Sequence, residues 1–98
     1  MKGGKYDYLF INISYNSIML NKKYNVICEN FKKFRKEKKL SQRALCQKLE
    51  LLGVTLYKAD IYAIEHNKRA VKDFELLAFS IVFEKSVEDF YIGVKDFE

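Results

Sequence analysis

From Tyr24 to Ile92 the apolar residues of this chain recur at helical spacing, in short blocks separated by residues that start or stop helices. The first block shows the pattern, because Ile27, Phe31 and Phe34 lie four and three residues apart with basic residues between them. The 98 residues include no proline and only four glycines, which argues against all-β folds that rely on such turns. We therefore expect an all-α fold.

Residues that cap or stop helices divide this region into five predicted helices. Ser41 opens the second helix, because its hydroxyl can accept an unpaired backbone N–H, and Gly53 ends it in the left-handed conformation. Asn67 is a similar stop for the third helix, which is predicted from about Tyr57 to His66. Tight links between five short helices predict a compact bundle.

Apolar positions inside these helices define the expected core. The side chains predicted to pack inward are Ile27, Phe31, Phe34, Leu45, Leu49, Leu52, Ile61, Ile64, Leu76, Leu77, Ser80 and Phe83. The fourth helix is predicted over residues 73–83, with Asp73 as its cap. The fifth is short, because Ser86 and Asp89 form a capping box only a few residues before Ile92.

The first 23 residues follow a different period. Apolar residues alternate there with polar ones, as Leu9, Ile11, Ile13 and Tyr15 against Asn12, Ser14 and Asn16. This alternation is typical of a short strand or an extended arm that needs a partner surface. Met19 offers a second start, in which case residues 1–18 are an upstream extension. The chain thus divides into an arm or extension (1–23), a helical domain (24–93) and a tail (94–98).

Charge is unevenly distributed along the chain. Eighteen Lys and Arg against 13 Asp and Glu give a formal net charge of +5. Residues 22–43 contain nine basic and two acidic residues, whereas residues 73–98 contain two basic and seven acidic ones. Such a basic region suits a polyanionic partner, and a solvated basic helix is the alternative that charge alone leaves open.

Composition also argues against several classes of protein. Cys28 and Cys46 are too few for a disulfide framework and are expected to be buried, inert thiols. The longest apolar runs are far shorter than a membrane span and no secretory signal is recognisable, so we expect a cytoplasmic protein without a membrane partner. With His66 as the single histidine, the chain offers neither four metal ligands nor a catalytic dyad. We expect no metal, no cofactor and no enzyme activity.

Residues 40–69, LSQRALCQKLELLGVTLYKADIYAIEHNKR, resemble the lambda-repressor-like, Xre-type helix-turn-helix family. The specific parts are Leu-Ser-Gln opening the second helix, Ile61 and Ile64-Glu65 in the third, and Ser86-Val87-Glu88-Asp89 near the end. The likeness extends from about Tyr24 to Tyr91. It implies a five-helix lambda-repressor-like domain whose third helix enters the major groove of DNA.

The resemblance also implies which residues contact DNA. They are Gln42 and Arg43 in the second helix, Lys58, Ala59, Tyr62, Ala63 and His66 on the exposed face of the third, and Lys68 and Arg69 in the loop that follows. The family places phosphate contacts in the first and last groups, and its groove-facing positions are occupied here by Lys58, Ala59, Tyr62 and Ala63. Alanine can touch a thymine methyl but cannot hydrogen-bond a base edge, so Lys58 and Tyr62 are left for polar contacts at the groove positions.

These observations predict a sequence-specific, repressor-like regulator that binds double-stranded DNA, with a homodimer as the expected form. The apolar tail residues are Phe90, Tyr91, Ile92, Val94 and Phe97, which either pack back onto the first helix or form a two-fold contact. The alternative function is a protein-interaction module that keeps the fold, such as an antitoxin or a regulator's partner. The alanines of the third helix, the acidic carboxyl end and the apolar arm favour this alternative.

Overall fold

The computed structural model describes residues 23–94, which are helical and contain no strand. The elements are α1 (Cys28–Glu37), α2 (Gln42–Leu51), α3 (Lys58–Glu65), α4 (Asp73–Phe83) and a 3₁₀ helix (Val87–Tyr91). The all-α prediction is confirmed for this part of the chain, although the fifth element is a five-residue 3₁₀ helix rather than an α-helix. The predicted arm or short strand before Lys23 lies outside the described residues. No helix within residues 23–94 is long and apolar enough to cross a membrane.

Most of the predicted caps and stops are present in the structure. Ser41 Oγ accepts the N–H of Ala44 at 2.9 Å and so begins α2. Gly53 follows α2 with φ of +84°, and Asn67 follows α3 with φ of +56°. These stops were predictable because each depends only on the residue's own conformational range and its near neighbours.

The prediction that Asp73 caps α4 is wrong. Lys72 has an extended backbone and precedes the helix, so Asp73 is already its first helical residue. The carboxylate of Glu75 accepts the N–H of Lys72 at 3.0 Å, which satisfies that donor from inside the first turn. The Glu75 side chain is long enough to reach back from the first turn to the N–H of Lys72. The sequence pattern pointed to Asp73 instead, because Asp73 is the first acid of the segment.

The core is built around a cluster of phenylalanine rings. Phe31 of α1 meets Phe79 and Phe83 of α4 edge-on, with ring centroids 4.7 and 5.5 Å apart. Phe34 meets Phe90 of the 3₁₀ helix in the same way at 5.1 Å. Edge-to-face pairs of this kind add to the energy of apolar burial, so α1 is held between α4 and the carboxyl-terminal segment.

Two residues predicted to face the core are exposed. Leu52 follows the last residue of α2 and is 44% exposed, and Leu77 of α4 is 56% exposed. Val54 and Leu56 of the α2–α3 link are buried instead, so the link itself supplies part of the core. In α4 the apolar residues cover all sides of the helix, and their spacing therefore did not show that Phe79 faces inward.

The described part of the tail packs back onto α1. Phe90 is fully buried, and Asn30 Nδ2 donates to the carbonyl oxygens of Phe90 at 2.8 Å and Ile92 at 2.9 Å. Of the two roles considered for this segment, Phe90 follows the first, packing onto the first helix, whereas the Ile92 side chain is 61% exposed. Phe97 lies outside the described residues.

Both cysteines are unpaired and half-buried rather than fully buried. Partial burial raises the pKa of the Cys28 and Cys46 thiols above the ordinary value of 9.0, so little thiolate is present at neutral pH. Across residues 23–94, no three His, Cys, Asp or Glu side chains lie together in a way that could hold a metal ion.

Candidate functional site

Five of the predicted contact residues lie together on the outward side of α3. Ile61 and Ile64 are fully buried and anchor the opposite side of this eight-residue helix in the core. The outward residues are Lys58, Ala59, Tyr62 and His66, which are exposed, and Ala63, which is half-buried. We call these five residues the α3 face. They form one surface because α-helical residues three and four apart are neighbours.

An aromatic pair occupies the carboxyl half of the α3 face. The Tyr62 and His66 rings are stacked, with centroids 3.9 Å apart and planes inclined by 23°. His66 Nδ1 lies 2.9 Å from the carbonyl oxygen of Tyr62, and since that oxygen only accepts, Nδ1 carries the proton. The Nε2 atom then remains available to a partner outside the domain. The two stacked rings therefore form one aromatic surface on the exposed side of α3.

A buried charge cluster fixes the carboxyl end of α3. The Glu65 side chain is 1% exposed and forms a two-pronged ion pair with Arg35 of α1. Arg35 Nη1 also donates to the Leu40 carbonyl oxygen at 2.7 Å, and Gln42 Nε2 donates to Glu65 Oε1 at 3.2 Å. Side chains of α1, α2 and α3 therefore meet at one carboxylate.

This cluster changes the expected role of Gln42. The sequence resemblance gave Gln42 a phosphate contact, but its side chain is half-buried and its amide nitrogen is bonded to Glu65. Arg43, the next residue, is exposed and forms no ion pair within residues 23–94. Arg43 is therefore the better placed of the two for a contact outside the domain.

A second charge cluster fixes the amino end of α3. Asp60 Oδ2 accepts the N–H of Tyr57 at 2.8 Å, and Asp60 Oδ1 lies 3.5 Å from Arg69 Nε. The two terminal nitrogens of Arg69 each donate to one oxygen of Glu75, both at 2.9 Å. Arg69 thus links α3 to α4, and its positive charge offsets the acid of Asp60.

The ionisation of this cluster reflects its packing. Burial opposes the charged form of Glu75, but the hydrogen bonds from Arg69 and from the Lys72 N–H outweigh it and lower the pKa of Glu75. The hydrogen bond to Glu75 raises the pKa of Arg69 in turn. The sequence resemblance gave Arg69 a phosphate contact, but its guanidinium is bonded to Glu75 and lies next to Asp60 inside the domain.

Asparagine side chains hold the loop between α3 and α4. Asn67 Oδ1 accepts the backbone N–H groups of Tyr24 and Asn25, each at 2.9 Å. Asn25 Nδ2 donates to the carbonyl oxygens of Ile64 at 3.1 Å and Arg69 at 3.0 Å. Asn25 Oδ1 also accepts the N–H of Ile27 at 3.1 Å. Sequence reasoning missed Asn25, since the carbonyl partners of its amide nitrogen lie 39 and 44 residues away and no local pattern reveals them.

Three cations around α3 have no partner in the domain. Arg43, Lys58 and Lys68 are exposed and form no ion pair within residues 23–94. Arg43 and Lys58 line one shallow groove of about 330 Å³ between α2 and the start of α3. Tyr57 also lines it and is 69% exposed, and Glu50 is the acidic residue of this groove. The sequence prediction did not include Tyr57, although it directly precedes Lys58.

Comparison with known proteins adds no relative to these observations: no family model, no curated protein and no solved structure matches the chain. The geometry of residues 23–94 and the sequence resemblance are therefore the grounds on which a function can be assigned.

Proposed function

We propose that this protein is a sequence-specific DNA-binding regulator in which α2 and α3 act as a helix-turn-helix and the α3 face enters the major groove. The observation that carries the proposal is the chemistry of that face, which combines an unpaired lysine, Lys58, with the exposed Tyr62–His66 stack. The two acids of the same helix are both paired inside the domain, Asp60 with Tyr57 and Arg69, and Glu65 with Arg35. A helix fits the major groove, where lysine, tyrosine and histidine can meet acceptors on bases and phosphates.

The support behind α3 suits this role. A recognition helix must keep one orientation relative to its domain while its exposed side chains replace contacts with water by contacts with base edges. An orientation fixed before binding lowers the entropic cost of binding. Arg35–Glu65 holds one end of α3 and Arg69–Asp60 holds the other. The α3 face therefore lies on a helix that is held at both ends by ion pairs and on its inner side by the buried Ile61 and Ile64.

Surrounding charge supports the same proposal. Arg43 lies in the first turn of α2 and Lys68 lies in the loop after α3, so exposed cations stand before and after the α3 face in the chain. Phosphate contacts at such positions fix register and orientation without reading sequence. We propose Arg43 and Lys68 for these contacts, in place of Gln42 and Arg69.

Fluorescence anisotropy with labelled random-sequence duplex tests the proposal. We expect binding at low salt that weakens steeply as salt is raised, because cations displaced from the phosphates are released on binding. Lys58→Ala should weaken this binding more than Lys48→Ala, which removes another exposed lysine, from the last turn of α2. A protein that binds no duplex at low salt contradicts the proposal.

A protein-interaction module is the second candidate. The exposed Ala59 and the half-buried Ala63 give the α3 face a flat apolar strip beside Tyr62, which suits a protein surface as well as a thymine methyl. Such a module, for example an antitoxin, should show almost no affinity for random duplex under the same conditions. The anisotropy titration therefore separates the two candidates.

A further inference from the structure

The link between α2 and α3 is longer than a helix-turn-helix requires. Residues 52–57 connect the two helices, whereas the turn of such a motif commonly has about 3–4 residues. Val54 and Leu56 of the link are buried and anchor it in the core. Tyr57 follows with an extended backbone and an exposed side chain. The extra length of the link therefore places an aromatic hydroxyl at the surface, directly before α3.

The backbone of Tyr57 is fixed by the first turn of α3. Its N–H donates to Asp60 Oδ2 at 2.8 Å. Its carbonyl oxygen accepts the N–H groups of Asp60 at 2.8 Å and Ile61 at 3.1 Å. The position of Tyr57 is thus set by the domain, while its exposed hydroxyl can donate to, or accept from, a partner outside it.

Tyr57 forms part of one side of the shallow groove of about 330 Å³ between α2 and the start of α3. On the α2 side, Arg43 and Glu50 lie seven residues apart, so the groove has a cation at one end and an acid at the other. Cys46 lines the groove between them. Burial raises the pKa of the Cys46 thiol, the Asp60 carboxylate adds to this rise, and the Arg43 guanidinium opposes it. The charge of Arg43 therefore acts inside the groove.

We propose that the Arg43 end of this groove holds a phosphate of the DNA backbone, with the guanidinium pairing its charge and the Tyr57 hydroxyl donating to one of its oxygens. This inference rests on the proposed function and adds a contact to it. Hydrogen bonds to an ionised acceptor are stronger than those between neutral groups. Lys58 belongs both to the groove and to the α3 face, so a strand that crosses the groove continues onto that face.

The charge and the shape of the groove select this occupant. Arg43 and Lys58 both line it and form no ion pair within residues 23–94, so an anion is attracted to their end. Glu50 repels an anion from the opposite end. Small molecules usually bind in clefts that bury most of their surface. A shallow groove suits a backbone that passes across the surface instead.

Modification of the two native thiols by N-ethylmaleimide tests the location. Cys46 lines this groove, whereas Cys28 is also half-buried but lines a different groove, beside Glu29. We expect saturating random-sequence duplex at low salt to slow the modification of Cys46 several-fold and to leave that of Cys28 unchanged, as measured by peptide mass spectrometry. Inorganic phosphate at the same ionic strength should protect Cys46 far less. Equal protection by inorganic phosphate would assign the groove to a free anion and overturn the proposal.

Fluorescence anisotropy with the same duplex tests the chemistry of the groove. Tyr57→Phe removes only a hydroxyl, so it should weaken binding several-fold and leave the salt dependence unchanged. Arg43→Gln should lower the slope of log affinity against log salt by about one. Glu50→Gln should strengthen binding, because it removes the acid of the groove, and a purely structural role does not predict this sign. The matched control is Tyr24→Phe, since Tyr24 is a similarly exposed tyrosine outside the groove and its replacement should change nothing.

Two results overturn the proposal and leave the proposed function standing. One is duplex that binds the protein but leaves Cys46 as reactive as before, which shows that the backbone does not occupy the groove. The other is wild-type affinity for duplex in both Tyr57→Phe and Glu50→Gln. A chain that binds no duplex at low salt gives a different result, because it contradicts the proposed function and this contact together.

Discussion

The Arg35–Glu65 pair is the costliest feature of the domain at the scale of single residues. Taking a carboxylate and a guanidinium out of water is unfavourable unless each finds a partner with good geometry. Here both oxygens of Glu65 are bonded, and the guanidinium also donates to the carbonyl oxygen of Leu40. The pair therefore sets the relative orientation of α1 and α3. Removing one partner should strongly destabilise the fold, although no pattern in the sequence pointed to this pair.

Glu65→Gln leaves the Arg35 cation buried without a counter-charge, so we expect it to lower the free energy of unfolding by about 3 kcal/mol. Urea denaturation followed by circular dichroism measures this loss. Glu84→Gln is the matched control, because the Lys38–Glu84 pair is exposed to solvent and ions and should contribute little. Equal losses for the two variants would show that burial of the Glu65 pair is not what matters.

The Glu75 carboxylate predicts how stability depends on pH. Its pKa is lowered in the folded state, so its contribution is fully present above the ordinary glutamate value of 4.5 and is lost as pH falls through the lower, folded value. The urea midpoint of the wild type should therefore fall between neutral pH and this acid range. The midpoint of Glu75→Gln should fall less over the same range. The hydrogen bond from Lys38 lowers the pKa of Glu84 as well, but this carboxylate is exposed. Added salt should therefore reduce the contribution of Glu84 to the loss of stability in acid. Equal acid losses in the wild type and Glu75→Gln would contradict this assignment.

At the scale of elements, sequence was informative wherever a boundary depends on near neighbours. Ser41, Gly53 and Asn67 act at their own helix ends, and the capping box of Ser86 and Asp89 was predicted with its reciprocal hydrogen bonds. That box begins a five-residue 3₁₀ helix rather than an α-helix, and Gly93, with φ of +80°, follows it closely. Interactions between near neighbours in the sequence therefore predicted the positions of helix ends better than the type of helix that forms.

Long-range pairings were beyond the sequence pattern. Arg35 and Glu65 are 30 residues apart, and the resemblance described Gln42 and Arg69 as DNA contacts without showing their acidic partners in the domain. The exposure of Leu77 was unpredictable for a related reason, since the apolar residues of α4 lie on all sides of the helix and its polar residues Glu75 and Ser80 are buried. The candidate face of α3 was predictable because buried Ile61 and its neighbours recur at helical spacing.

Lys68 and Arg69 are adjacent cations with different expected roles. Lys68 is exposed and unpaired, so Lys68→Ala should weaken duplex binding for all sequences and lower the slope of log affinity against log salt by about one, without changing stability. Arg69→Ala should instead lower the urea midpoint, because it leaves Glu75 and Asp60 without their partner. Anisotropy and urea denaturation on both variants separate the two effects. A wild-type urea midpoint in Arg69→Ala would contradict the structural role.

At the scale of the whole molecule, charge is separated between the two halves of the chain. The basic side chains of α1 include Lys33 and Lys36, which are exposed, whereas acids predominate from Asp73 onward. A field of this kind draws a polyanion to one side of the domain and speeds association without adding base contacts. The basic surface of α1 should therefore influence rates more than sequence preference.

The double variant Lys33→Gln and Lys36→Gln tests that field. We expect its association rate with duplex to fall several-fold at low salt and to approach the wild-type rate at high salt, because counterions screen the field. Stopped-flow fluorescence measures the rates, and the dissociation rate should change little. A faster dissociation with an unchanged association rate would show that these lysines touch the DNA directly.

Selection of bound sequences from a random duplex library tests the central claim most directly, namely that the α3 face reads base pairs. We expect the wild type to enrich a defined motif, Lys58→Ala and Tyr62→Ala each to change the preferred base at one or two positions, and Lys48→Ala to enrich the wild-type motif. A second half-site spaced by about 10 base pairs would show two α3 faces bound together. Enrichment of no motif by the wild type, or of the same motif by all four proteins, would contradict the claim.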